Sequence, residues 1–136
     1  MEDLFPSGPK DAAAKNKETG QLGENLAADY LVSQGFEIIK RNWRFARYEI
    51  DIIAKEKNKL VVVEVKTRSE GYLLEPEFAV TMKKQASLIR AANAYIRYNK
   101  VNLDTRFDIV SVVISGEEHK ISHIRGAFYP TLYHRG

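Results

Sequence analysis

Two apolar runs lie back to back near the middle of the chain. Residues 60–68 read Leu-Val-Val-Val-Glu-Val-Lys-Thr-Arg. The β-branched positions Val61, Val62, Val63 and Val65 predict a strand buried on both faces. Glu64 and Lys66 interrupt it near its end, and strand alternation points both to one side. Burying a carboxylate and an ammonium there is costly. Taken alone, the pair reads as a structural ion pair or a strand end that has reached water. The preceding run, residues 48–54 (Tyr-Glu-Ile-Asp-Ile-Ile-Ala), changes that reading. The polar segment 55–59 predicts a hairpin between the two, with Asn58 the residue most tolerant of the turn. A turn about the Lys57–Asn58 bond sets Asp51 opposite Glu64, where Cβ atoms lie about 4.5–5.5 Å apart. Two carboxylates so placed repel each other unless a divalent cation sits between them. An odd-length loop would shift the register and break the cluster.

The remaining pattern alternates helices and strands. Residues 19–34 carry a helical stripe of Leu22, Leu26, Ala27, Tyr30 and Leu31, closed by Gly35 as a left-handed cap and apolar Phe36. Glu24 shares a face with Ala27, Ala28 and Leu31, so it either points toward the sheet or reaches solvent at the edge of the stripe. Residues 36–42 predict a first strand. A second helix over residues 81–99 lines Leu88, Ile89, Ala92 and Ile96 on one face, with Gln85 the polar member of the stripe. Residues 106–114 predict a buried strand and residues 120–125 a shorter edge strand, joined by a hairpin loop over 116–120. The order helix, three strands, helix, two strands predicts an α/β fold with a mixed sheet. One helix covers each face, or both flank the sheet. Residues 1–17 read as a mobile tail, leaving a single domain over 18–136. The loop over 69–77 and the aromatic C-terminal tail (Tyr129, Tyr133) are candidate lid, packing or homodimer contacts.

Composition narrows the function classes. A length of 136 residues suits one domain with a real core. The absence of cysteine excludes disulfides and thiolate metal sites and favours a cytoplasmic protein. No apolar stretch is long enough to span a membrane, and no signal segment is present. The net charge of +3 permits nucleic-acid binding without specifying it. More specific is residues 40–47, Lys-Arg-Asn-Trp-Arg-Phe-Ala-Arg. Lys40, Arg41, Arg44 and Arg47 interleave with Trp43 and Phe45, which suits phosphate contacts with base stacking or a groove wedge. The competing reading is a charged strand edge with inward-packed aromatics. His119, His123 and His134 lack metal-ligand spacing and read as surface or packing residues.

Asp51, a strand-spaced gap and Glu64-Val-Lys66 resemble the PD-(D/E)XK nuclease signature. The wider pattern runs Gly23-Glu24, Ala27, Tyr30-Leu31, Gly35-Phe36, Arg41-Asn42, Glu49-Ile-Asp51, Val63-Glu64-Val-Lys66-Thr-Arg68, Phe107-Asp108 and Ala127-Phe128. It is similar to the YraN-like family of uncharacterised bacterial proteins, relatives of archaeal Holliday-junction resolvases. One departure is Tyr48, where that family usually has Gly before Glu-Ile-Asp. The resemblance implies a restriction-endonuclease-like fold and an endonuclease dependent on Mg²⁺ or Mn²⁺. Asp51 and Glu64 would hold the metal and Lys66 would act on the reacting phosphate. Glu24 and Gln85 would complete the site, although Gln85 equally suits capping a strand-end carbonyl. Asp108 reads as support for the site or for nearby backbone. Lys40, Arg41, Arg44, Arg47, Arg68 and Lys84 are candidate contacts to nucleic acid, DNA before RNA. The rival readings are a non-catalytic nucleic-acid-binding module on the same fold and a protein-interaction domain with a structural carboxylate cluster.

Overall fold

A computed structural model describes residues 9–71 and 77–130, with side chains from residue 17 onward. The element order is α1 (Pro9–Ser33), β1 (Glu37–Phe45), β2 (Tyr48–Glu56), β3 (Lys59–Ser69), α2 (Met82–Asn99), β4 (Asp104–Ser115) and β5 (Glu118–Phe128). The five strands form one sheet in the order β1-β2-β3-β4-β5. Only β3 and β4 are parallel, and α2 makes the crossover that a parallel pair requires. This is the mixed α/β, restriction-endonuclease-like arrangement expected.

The helices take opposite faces. Against α1, Ala27, Ala28 and Leu31 pack on Val61, Val63, Val110 and Val112. Against α2, Leu88, Ile89, Ala92 and Tyr95 pack on Ile50, Ile53, Leu60, Val62 and Phe107. Burial on both faces explains why β3 reads as a continuous apolar run. Each fully buried Val, Leu or Ile stabilises the fold by about 1.5–3 kcal/mol relative to exposure, so the central strands dominate the core.

Local chemistry sets the element ends. Gly35 takes φ 95°, and the Phe36 amide donates to the Leu31 carbonyl at 2.9 Å. That glycine cap turns the chain from α1 into β1 and buries Phe36. Thr81 caps α2, its hydroxyl accepting from the Lys84 amide at 3.1 Å.

Several expected bounds move. The helix expected from residue 19 begins at Pro9, within the stretch read as a tail, and residues 1–8 lie outside the described residues. β1 runs on to Phe45 and absorbs Trp43. A register shift between Ile38 and Lys40 leaves Ile39 at the surface, 39% exposed. The β4–β5 connection is a two-residue turn at 116–117, shorter than the loop expected. The central hairpin does turn at Lys57–Asn58, but Lys57 rather than Asn58 takes the left-handed conformation, with φ 54°. Residues 72–76 of the expected loop lie outside the described residues, as do Tyr133 and His134.

Helix α1 meets β3 at Gly23. A Cβ at that position would lie 2.0 Å from Thr67 Oγ1 and 2.7 Å from Thr67 Cβ. Rotating the threonine does not move its Cβ, so any side chain at residue 23 forces the helix off the sheet. Gly23→Val is expected to lower stability by about 1–3 kcal/mol, the usual cost of overpacking. Adding Thr67→Ala should recover part of that loss, as read by thermal melts. Equal melting of Gly23→Val and wild type would contradict the close approach.

Candidate active site at the fork between two strands

Strands β2 and β3 pair from Glu56↔Lys59 to Ile52↔Val63 and no further. Beyond that point β2 pairs only with β1, while β3 continues beside β4 to Ser69. The sheet therefore forks, and Asp51 sits in the fork. Side-chain alternation breaks here. Ile50 joins Ile53 on the α2 face, whereas Ile52 and Ala54 lie on the α1 face. Across from Asp51 in the β1 register is Asn42, in the left-handed region at φ 52°. The Val65 amide, which has lost its strand partner, donates to Asp51 Oδ2 at 2.8 Å.

The ladder ends one pair short of the expected Asp51–Glu64 register, yet the two carboxyl groups remain neighbours across the fork. Burial raises both carboxyl groups above their ordinary range, and Glu64 is pushed up to about 8. Proximity to the Asp51 charge adds to the rise at Glu64. The two groups are close enough for each to influence the charge of the other. Near neutral pH these shifts favour one proton held on the pair, chiefly on Glu64. Glu64 Oε1 is buried with no hydrogen-bond partner. Its other oxygen lies 3.7 Å from Lys84 Nζ.

The other sequence-derived residues surround this pair in different ways. Lys66 is buried at 8% exposure; its ammonium donates to the Ala79 carbonyl, and its charge partly offsets the rise at Glu64. Glu24 is buried rather than at the solvent edge of its helix. Its Oε1 accepts from Arg41 Nε at 3.0 Å and Asn42 Nδ2 at 2.9 Å, and its charge contributes to raising Asp51. Gln85 donates to the Val80 carbonyl at 3.1 Å, in the segment leading into its own helix. Arg68 donates to the Thr67 carbonyl. Glu64, Lys66, Arg68, Ala79, Thr81 and Lys84 line an open groove of about 560 Å³.

Of the basic β1 residues, Arg41 is turned inward to Glu24 and Asn25. Arg44 is mostly exposed and pairs with Glu49 at 3.4 Å. Arg47 lies 5.4 Å from the Tyr48 ring centroid, and Lys40 is exposed. Asp108 belongs to a separate buried network. It accepts from Arg106, His123 and the Gly126 amide, and His123 also meets the Tyr30 hydroxyl at 3.0 Å. Desolvation acts against the Asp108 charge, but His123 and Arg106 hold the carboxyl below its ordinary range. This supports backbone at a register shift between β4 and β5. A concavity of about 610 Å³ near the Lys57–Asn58 turn is lined by charges that neutralise one another, Glu56 with Arg106 and Arg125, and Lys59 with Asp104.

The partners of Glu24, the amide held by Asp51 and the carbonyl held by Lys66 had no signal in the sequence. All three are backbone or long-range contacts, and the Asp51–Val65 one forms where the strands part.

Two neighbouring carboxylates, one with the orphaned buried oxygen Glu64 Oε1, suit a divalent cation that keeps most of its waters, as Mg²⁺ does. Among the described residues no group of three or more His, Asp or Glu could hold a metal by itself. Asp51 and Glu64 would supply only a partial ligand set, with water and substrate oxygen completing it.

The model of "Uncharacterised protein family UPF0102" matches residues 23–112. The chain belongs to this family. A UPF0102 protein from Parabacteroides distasonis is 46% identical over 116 residues, covering 85% of this chain and 96% of its own length. One from Bacteroides thetaiotaomicron is 43% identical over 120 residues, covering 88% and 99%. A third, from Flavobacterium johnsoniae, is 44% identical over 120 residues, covering 85% and 98%. The matched region contains the whole fork, from Gly23 and Glu24 to Asp108.

The raised carboxyls make a signed prediction. Glu64 titrates near 4.5 in an unfolded chain and near 8 in the folded one. The folded state holds this proton more firmly, so the stabilisation is complete below about pH 4.5 and lost as pH rises through about 8. Metal-free protein should melt at progressively lower temperature from pH 5 to pH 9. Glu64→Gln should flatten that slope and melt as high as wild type or higher at pH 8. The depressed groups, Asp108 and Glu56, act only at lower pH. A pH slope unchanged in Glu64→Gln would show that the pair does not share a proton.

Proposed function

We propose that this UPF0102 protein is a metal-dependent endonuclease that hydrolyses phosphodiester bonds in branched or structured DNA. The observation that carries the reading is the Asp51–Glu64 pair. Burial holds both carboxyls above their ordinary range, Glu64 has an unpartnered oxygen, and Glu64 lines an open groove with the buried Lys66, Arg68 and Lys84. A structural ion pair would have its oxygens satisfied, as Asp108 does. No helix among the described residues is long and apolar enough to cross a membrane.

Each residue has a role that follows from its position. Asp51 and Glu64 would hold Mg²⁺ or Mn²⁺, and losing the shared proton frees them to do so. When bound, such an ion polarises the phosphate and lowers the pKa of a coordinated water. Lys66, on the same strand and two residues on from Glu64, places positive charge where the phosphate becomes more negative. In this structure its ammonium is held by the Ala79 carbonyl, so engaging substrate requires that contact to be exchanged. Glu24 acts through Arg41 and Asn42, fixing β1 against α1 beside the fork. Gln85 ties down Val80 and shapes the groove rim. Arg68 and Lys84 line the groove as phosphate contacts, and Lys40, Arg44 and Arg47 extend the basic surface along β1.

A cleavage panel of branched, flapped and linear DNA with Mg²⁺ or Mn²⁺ tests the assignment. Asp51→Asn and Glu64→Gln should each reduce cleavage on the order of 100-fold or more, the scale of removing one transition-state-stabilising group. Lys66→Ala should lower turnover while leaving DNA affinity near normal. DNA binding by wild type without cleavage of any substrate would favour a non-catalytic binding module. Folded Asp51→Asn and Glu64→Gln proteins that cleave normally would make the pair structural.

A separate test concerns affinity. Arg44→Ala with Arg47→Ala should lower the salt slope of DNA binding by about one log-log unit per lost phosphate contact. An unchanged slope would place the binding surface elsewhere.

A further inference from the structure

Past the fork, the β1–β2 ribbon continues as a two-stranded arm, and its tip is aromatic. Trp43 stacks on Phe45 with the rings 6.3 Å apart and 5° from parallel. Trp43 is pinned edge-on to Tyr95 of α2 at 5.3 Å, and Phe45 meets Tyr98 of α2 at 6.1 Å. Tyr95 is buried and Trp43 half-buried, whereas Phe45 is 37% exposed and Tyr98 72% exposed. The arm is also basic. Of the cations in residues 40–50, Arg41 is turned inward to Glu24, while Lys40, Arg44 and Arg47 are exposed, with Arg44 beside the one carboxylate, Glu49. Arg47 lies over the Tyr48 ring, and Arg90 donates to the Tyr48 hydroxyl at 3.3 Å.

We propose that Phe45 and Tyr98 form a stacking platform for an unpaired base of a DNA strand whose backbone runs along the arm. This rests on the nuclease reading above and specifies its substrate as DNA with unpaired nucleotides next to the cleavage point. Three observations carry it. First, Tyr48 pairs with Phe45 and is three residues from Asp51, which is no more than about 10 Å of chain. A strand reaching from the fork to the platform therefore spans only a few nucleotides. Second, exposed rings among cations suit a nucleobase, because every base has a π-face and stacking tolerates sequence. Third, the exposed rings are too small a surface for a stable protein partner. Two aromatic side chains bury at most about 150–250 Å² each, well below the roughly 800 Å² per side of a standard interface. Duplex DNA keeps its bases stacked inside and offers the platform only an end.

The test uses the full chain in chelator, so that binding is read without cleavage. The probes are a blunt duplex and a forked DNA carrying 2-aminopurine in one unpaired arm. Wild type should change the 2-aminopurine fluorescence and prefer the fork by about 10-fold, the scale of one or two stacked bases. Phe45→Ser with Tyr98→Ser should lose both the signal and the preference while still binding duplex, and Tyr98→Phe should keep them. Should the double variant melt early, Tyr98→Ser alone carries the comparison, since that side chain is exposed. Equal affinity for fork and duplex in wild type and variants, with Mn²⁺-dependent cleavage intact, would overturn this inference and leave the nuclease reading standing. Failure of wild type to bind any DNA would overturn both. A dimer in sedimentation that the double variant dissociates would assign the rings to a second copy of the chain instead.

Discussion

The separation of β2 from β3 after Ile52 and Val63 is the constraint on which the rest depends. A sheet that continued in register would give the Val65 amide a backbone partner and press Asp51 against its neighbour. Because the strands part, the Asp51 carboxylate takes that amide instead. One hydrogen bond thus terminates the ladder and fixes an acid beside Glu64. It also leaves β1 and β2 free to run on as an arm. Gly23 makes the complementary adjustment on the α1 side. Its missing Cβ lets the helix reach Thr67, which brings Glu24 close enough to influence Asp51.

Two buried acids on neighbouring strands show how satisfaction separates support from chemistry. Asp108 is fully buried, and both its oxygens have donors. Its charge is kept despite desolvation, and it locks β4 to β5. Glu64 is less buried, its side chain 15% exposed against 0% for Asp108, yet it has an unpartnered buried oxygen and an adjacent carboxylate. The same desolvation that Arg106 and His123 offset at Asp108 therefore dominates at Glu64. An unsatisfied buried oxygen is costly to keep, and a ligand that completes it accounts for its presence.

Much of this was legible in the sequence because strands have period two. The apolar runs and the even loop at Lys57–Asn58 were enough to set the register as far as Ile52 and Val63, one pair short of the acids, and so to bring Asp51 near Glu64. The element order followed from the same periodicities. Contacts that depend on broken periodicity were not legible. The left-handed Asn42 and the shift after Ile38 turn Arg41 inward to Glu24, although its neighbours read as a solvent-facing basic strand. Tyr98 meets Phe45 only because the arm leaves the sheet and lies over the C-terminal part of α2. The early start of α1 was hidden because residues 9–17 have no apolar stripe to mark a packed helix.

The central claim is that the fork holds a pair of acids sharing one proton that a divalent cation replaces. Calorimetric titration of Mn²⁺ at pH 7, repeated in two buffers of different ionisation enthalpy, measures this directly. The account predicts that binding releases close to one proton per Mn²⁺ in wild type. It predicts weaker binding with no such release in Glu64→Gln. Mn²⁺ binding of equal strength and equal proton release in Glu64→Gln, or no binding to wild type at all, would contradict it.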